Sequence, residues 1–216
     1  MGTDARSDMV TRKYIPSKRL TQVSERQQRV AAATAELHAE KGPVATSYAD
    51  IAQRAGVSLP TVHSYFPTQA ALMSACTGHV AAGAPPLPVE AILAAPDLRA
   101  AAATLVVSMD KLHTYFEPWM SWRAERAIPF IAEFRIANRE RLTMLLVQLL
   151  SRHRKGPQAA YAAAWESLLS FDLWQRLVRQ HELPHKRARE LLVLLLLSAL
   201  GPASATAVPP GPRRRL

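Results

Sequence analysis

Apolar positions recur along the chain at helical rather than strand spacing, and the breaks between such stretches fall at Gly and Pro. From Ser24 onward, Val30, Ala33, Leu37 and Lys41 follow one helical face, which Gly42-Pro43 ends. Ser47-Tyr48-Ala49-Asp50 fits a capping box, in which the Ser hydroxyl accepts from the Asp amide and the carboxylate reaches back. It predicts a second helix that turns Ile51 and Ala52 inward and stops at Gly56, the residue type that most easily turns left-handed. Ser58 then caps a short third helix, with Val57 and Val62 placed as a hydrophobic staple and Pro60 tolerated in the first turn. Pro67 closes it, and Thr68 caps a fourth helix that carries Leu72 and Met73 toward Gly83.

Ala84-Pro85-Pro86-Leu87-Pro88 is the clearest break in the pattern. Beyond it the spacing predicts helices over residues 97–116, 118–153 with a break at Pro129, 157–181 and 185–200. The 157–181 segment is apolar on most of its circumference, through Tyr161, Trp165, Leu169, Phe171, Trp174 and Val178. A helix of that kind is covered on more than one side. Together with Leu191 to Leu200 it suggests a helical pair that packs on its own domain and on a second copy.

The expected architecture is therefore all-α, with a smaller N-terminal helical part and a larger C-terminal helical part. Its parts are a flexible basic arm over residues 1–22, a domain over 23–83 that includes a connecting helix, a second domain over 84–208, and a basic tail over 209–216. Composition agrees with helices. Apolar residues reach 49% while aromatics are only 6%, a balance that suits Ala- and Leu-rich helix packing better than a sandwich of strands.

A net charge of +10 favours polyanions, yet residues 1–80 carry 9 Lys and Arg against 6 Asp and Glu, so bulk charge does not locate a site. Local charge says more. Arg12, Lys13, Lys18, Arg19, Arg26 and Arg29 are interrupted only by Glu25, and such an arm can add phosphate contacts or enter a minor groove. A solvated tail is the competing reading.

The longest purely apolar run, Leu191 to Leu197, is well short of the roughly 20 residues a bilayer span needs, and the charged N-terminus lacks an apolar signal segment. No membrane partner and a cytoplasmic location are the expectations. A single cysteine, Cys76, excludes an intrachain disulfide and is assigned no role.

Two helices joined by Ala55-Gly56-Val57-Ser58, the second short and polar outside, have the form of a helix-turn-helix, whose second helix enters the major groove. Val62 and Phe66 are expected in the core with Tyr65 at its edge, leaving Leu59, Pro60, Thr61, His63 and Ser64 to face DNA.

At this point the sequence resembles the tetracycline repressor (TetR) family. The match is carried by Gly42 after Glu40-Lys41, Thr46-Ser47, Asp50-Ile51-Ala52, Ala55-Gly56-Val57-Ser58, Thr61-Val62, Tyr65-Phe66-Pro67 and Leu72. It spans residues 26 to 76, about a quarter of the chain. The resemblance implies a three-helix DNA-binding head, a C-terminal domain that binds a small molecule and dimerises, and release from a double-stranded operator when ligand binds.

Carried over by residue, it implies that Thr61 and Ser64 hydrogen-bond phosphate or base edges and that Leu59 and Pro60 touch a thymine methyl. Tyr65 offers its hydroxyl to a phosphate or simply packs. Thr46, Tyr48 and Gln69 complete the candidate DNA contacts. Three positions depart from the family pattern. His63 stands where a phosphate-contacting Tyr is usual, Gln69 replaces a Lys, and His38 replaces a Phe and is read as a core histidine. The first two permit an alternative, a dimeric ligand-binding or protein-interaction module with a weakened DNA head.

His181-Glu182-Leu183-Pro184-His185 matches the zinc-protease string H-E-x-x-H. That chemistry needs both histidines on one helical face, and Pro184 opposes such a helix, so the segment is read as a turn, with neither metal nor catalysis assigned. No phosphate loop or nucleophile elbow appears, and no cofactor is expected. Trp119, Met120, Trp122, Phe130, Phe134 and Trp165 are candidates to line a pocket for a largely apolar effector, each being equally well explained as ordinary core. Glu117, Glu133 and Glu166 are offered as partners of a polar ligand or as surface ion pairs.

Overall fold

The computed structural model describes residues 16–121 and 128–201, and within them every regular element is a helix. Two compact units divide between Ala81 and Ala82, two residues before the boundary expected from the sequence.

The first unit contains α1 (Pro16–Lys41), α2 (Tyr48–Ala55), α3 (Leu59–Tyr65) and most of α4 (Gln69–Ala82). Helix α1 begins eight residues before Ser24, so part of the segment read as an arm is helical backbone. The local signals for the short helices hold atom by atom. Asp50 N–H donates to Ser47 Oγ at 3.1 Å while Ser47 N–H donates to Asp50 Oδ2 at 2.9 Å, which starts α2. Gly56 ends it at φ +64°, with its N–H on the carbonyls of Ala52 and Gln53. Ser58 and Thr68 accept from the amides of Thr61 and Ala71 and start α3 and α4. Val30, Ala33 and Leu37 of α1 meet Ile51, Ala52 and Ala55 of α2, Val62 of α3, then Phe66 and Leu72, in one core. Residues spaced by three and four on α1 thus form the floor on which two short helices rest.

The second unit contains α5 (Val89–Leu93), α6 (Leu98–Met120), α7 (Pro129–His153), α8 (Gln158–Leu168), α9 (Phe171–Gln175), a π-helical turn at Arg176–Gln180, and α10 (His185–Ser198). Its main core joins Ile92 of α5, Leu105 of α6, Leu146 and Leu149 of α7, Trp165 of α8 and Leu196 of α10. A smaller cluster joins Phe171, Trp174, Val178 and Ala188.

Two expectations are corrected here, while the break expected at Pro129 is found. Helix α6 does not stop at residue 116 but runs through Pro118 to Met120, because a proline in the last turn removes only the N–H that would serve the Thr114 carbonyl. Pro129 occupies the first turn of α7, where its fixed φ suits a helix start. The segment 157–181 is not one helix. Leu169 ends α8, Ser170 accepts from Leu173 N–H to start α9, and the freed Leu169 carbonyl accepts from His113 Nε2 at 2.8 Å. A partner 56 positions away in sequence stabilises that break. The aromatic residues of this segment are also satisfied within one protomer. Trp165 and Trp174 are 0% and 2% exposed, and the large apolar side chains that this unit leaves exposed among the described residues are Val89, Phe134, Ile136 and Met144 besides Leu194 and Leu195 of α10.

Candidate nucleic-acid interface

The loop between α1 and α2 is organised around one carboxylate oxygen. Asp50 Oδ2 accepts from Ser47 N–H at 2.9 Å, Ser47 Oγ at 2.8 Å and Lys41 Nζ at 2.8 Å. These donors hold the Asp50 carboxyl well below the usual carboxylate range, with the hydrogen bond from Lys41 the largest cause and those from Ser47 next. On the other side of α2, Arg54 spans two residues of α1, with NH1 and NH2 at 2.8 and 2.9 Å from the Glu40 oxygens and NH1 at 3.2 Å from Glu36. That fork lowers the Glu40 carboxyl, chiefly through the Arg54 hydrogen bond. Helix α2 is therefore fixed to α1 at both ends by charged groups and through its middle by Ile51 and Ala52.

Helix α3 rests on this support with Val62 fully buried and the adjoining Phe66 buried just past its end. The opposite side carries Leu59, Pro60, His63 and Ser64, all exposed, as is Gln69 at the start of α4. Thr61 and Tyr65 are half-buried at its edges. The placement expected from the helical register is the placement found, including Tyr65 packed against the core, except that Thr61, expected on the outward face, is half-buried at its edge.

Two candidates are already engaged. Thr46 Oγ1 donates to the Gly42 carbonyl at 2.8 Å, and Thr61 Oγ1 lies 2.7 Å from Ser58 Oγ. A phosphate that used either hydroxyl as a donor would have to compete with that bond. Sequence reasoning did not foresee the partner of His63. Its ring stacks on Tyr48 of α2, with centroids 4.6 Å apart and planes 4° apart, which joins the supporting helix to the outward helix by an aromatic plate. Burial raises the Tyr48 hydroxyl above its ordinary value. Tyr48 begins α2 and His63 lies within α3, 15 positions further on, so no local motif signals their contact.

His38 is a core histidine, as read from the sequence. It is buried, its Nδ1 lies 3.6 Å from Cys76 Sγ, and burial lowers its pKa to about 4 and pushes the Cys76 thiol up to about 12.

The residues expected to line an effector pocket are not brought together. Trp165 lies in the main core with its indole N–H on the Leu196 carbonyl at 2.8 Å, Met120 packs on the smaller aromatic cluster, and Phe134 is exposed. Trp119 is half-buried beside Tyr115, Phe130 is half-buried in the first turn of α7, and Trp122 lies outside the described residues. A small hollow of about 10 Å³ is lined instead by Asp110, His113, Ser170, Trp174 and apolar neighbours, and by none of these six. Glu117 is half-buried and paired, accepting from Arg179 Nε at 2.7 Å and NH2 at 2.6 Å, which favours the ion-pair reading. The H-E-x-x-H string spans a turn. His181 follows the π-helical turn, Glu182 is left-handed at φ +53°, and His185 begins α10 with its ring on Asp110.

Residues 30–76 match the family model described as bacterial regulatory proteins, tetR family. None of the curated proteins matches the chain. Among solved structures, a transcriptional regulator from Rhodococcus sp. Rha1 is 19% identical with a TM-score of 0.61, over 81% of this chain and 95% of that one. NalD, the secondary repressor of the MexAB-OprM multidrug efflux pump in Pseudomonas aeruginosa, is 19% identical with a TM-score of 0.61, over 82% of this chain and 96% of that one. The multidrug binding protein EbrR, solved with imidazole, is 21% identical with a TM-score of 0.57, over 94% of this chain and all of the other. Residues 30–76 thus match a family model of bacterial regulatory proteins, and the chain is similar in fold to solved structures of transcriptional regulators.

Proposed function

We propose that the protein is a ligand-responsive transcriptional regulator, a repressor that binds a pseudo-palindromic operator as a homodimer and leaves it when a small molecule binds the C-terminal unit. The observation that carries this reading is the outward face of α3, where Leu59, Pro60, His63 and Ser64 are exposed on a helix whose other side is fixed by Val62 and Phe66. Leu59 and Pro60 supply apolar contact for a thymine methyl, Ser64 and Thr61 supply hydroxyls for base edges or phosphate, and His63 and Gln69 supply neutral donors for the backbone. Tyr65 and Tyr48 reach the phosphates from the edges. The exposed Leu194 and Leu195 on α10 supply apolar surface for a second copy, and two heads then meet successive major grooves. Effector binding acts as a population shift between head spacings, with no chemical step.

The test is a mobility shift and footprint with DNA from around the protein's own gene, beside light scattering for the mass in solution. A protected site with two related half-sites, bound by a dimer, supports the reading. A monomer, or no protection distinguishable from that of random DNA at the same salt concentration, overturns it.

A further inference from the structure

Asp110 is the carboxylate that is buried among the described residues, 5% exposed in the middle of α6. Its partners all come from the far end of the chain. Oδ1 accepts from Trp174 Nε1 at 2.7 Å and lies 2.7 Å from His185 Nδ1, while Oδ2 lies 3.5 Å from Arg189 NH1. Rings surround this group. Phe171 stacks on Trp174 at 5.5 Å, His113 meets each of them at 5.7 Å, and the Trp174 and His185 rings are 6.1 Å apart. The small hollow adjoins it, bounded by Asp110, His113 and Trp174 together with Met109, Leu168 and Leu192.

A buried ion pair generally adds little to stability, since apolar residues of similar volume do as well or better. Stability alone therefore gives a poor account of a carboxylate at this point. A desolvated carboxylate among electron-rich ring faces is, however, the chemistry that recognises an organic cation. In the free protein that role is filled from within. The His185 and Arg189 side chains are 39% and 33% exposed, so both can turn to water, whereas Trp174 is locked in the core. The segment between Trp174 and His185 departs from regular helix twice, in the π-helical turn and at left-handed Glu182. Such departures mark backbone that can be repacked at lower cost than a continuous helix.

We propose that Asp110 is the anionic anchor of an effector site for an organic cation with an apolar body, a site that His185 and Arg189 fill in the free protein and vacate when the cation binds. The hollow has room for about one water, and His185 and Arg189 occupy the carboxylate oxygens, so a cation reaches Asp110 only as these two side chains withdraw. The inference rests on the ligand-responsive reading and adds the effector's class. It also names the first consequence of binding, because His185 and Arg189 tie the N-terminal turn of α10 to α6, and α10 carries the exposed Leu194 and Leu195.

The experiment uses the full chain without DNA. Calorimetry and tryptophan fluorescence measure binding of phenyltrimethylammonium and of its uncharged carbon isostere, tert-butylbenzene. Saturable binding of the cation, at least about tenfold tighter than the isostere and weakened about tenfold by Asp110→Asn, is expected. His185→Ala with Arg189→Ala removes the two basic side chains at the carboxylate, while Arg179 stays over the Trp174 ring, and is expected to tighten cation binding about tenfold. That variant decides the matter if Asp110→Asn does not fold. Cation binding that is absent, unchanged by Asp110→Asn, or weakened by the double substitution overturns the proposal. Failure of the operator experiment leaves these binding outcomes readable, and failure here leaves the operator reading intact.

Discussion

Tyr48 and His63 lie face to face, with ring centroids 4.6 Å apart, so the helix that supports the turn and the helix that faces outward share an aromatic contact at the protein surface. The contact gives His63 two separable roles, holding a plate together and offering a ring nitrogen outward. His63→Phe keeps the plate and removes the donor, while His63→Ala removes both. If the ring nitrogen contacts phosphate, both variants lose about fivefold in operator affinity, equally on all sequences and with a shallower salt slope. Mobility shifts across a salt series check this, and a change in base preference would place His63 on bases instead.

Acid sensitivity in the first unit is expected to have a histidine component. Burial lowers His38 from 6.5 to about 4, so the folded state stays neutral where the unfolded chain takes a proton. Because the folded pKa lies below the unfolded one, stability is full above about 6.5 and falls as the pH drops toward 4. His38→Gln keeps a polar group beside Cys76 and removes this titration, so its melting temperature falls less across that window, the remaining loss coming from carboxyls such as Glu40 and Asp50. A wild-type melting temperature that falls no more than the variant's from pH 6.5 to 4 would contradict this.

Gly56 closes α2 at φ +64°, and a Cβ added there meets no atom within 4 Å. Gly56→Ala therefore costs backbone strain rather than a clash, about 1 kcal/mol, with Gly56→Asn milder. Denaturant melts of the full chain measure it, and DNA affinity is expected to fall along with the population of the correct turn.

Trp165 donates its indole N–H to the carbonyl of Leu196, in the last turn of α10, where helix carbonyls run out of intrahelical partners. Trp165→Phe leaves that buried acceptor unpaired and a gap beside it, and is expected to destabilise by about 1–3 kcal/mol. Chemical denaturation gives the value. A loss of effector binding without a loss of stability would return Trp165 to the pocket from which the geometry removes it.

The short helices were legible because their signals are local. Ser47 with Asp50, Gly56, Ser58 and Thr68 each act within three or four positions, and each performs in the structure as its residue type predicts. The outward face of α3 followed from register alone, once Val62 was assigned inward. The break between α8 and α9 was not legible, because the carbonyl that makes it tolerable is served by His113 from another helix. The same holds for the Arg54 fork on Glu36 and Glu40, the Tyr48 and His63 stack, and the partners of Asp110, all of which join residues distant in sequence. Aromatic type suggested pocket walls, yet Trp165 and Met120 proved to be core because a large ring or thioether fills either place equally well.

The three donors on Asp50 Oδ2 make a single atom the pin about which α2 is set against α1. Its pair with Lys41 couples the last residue of one helix to the first turn of the next, and α3 rides on the second. A neutral amide in its place has fewer lone pairs and no charge, so the tilt of the outward helix, rather than its existence, is what such a change would loosen.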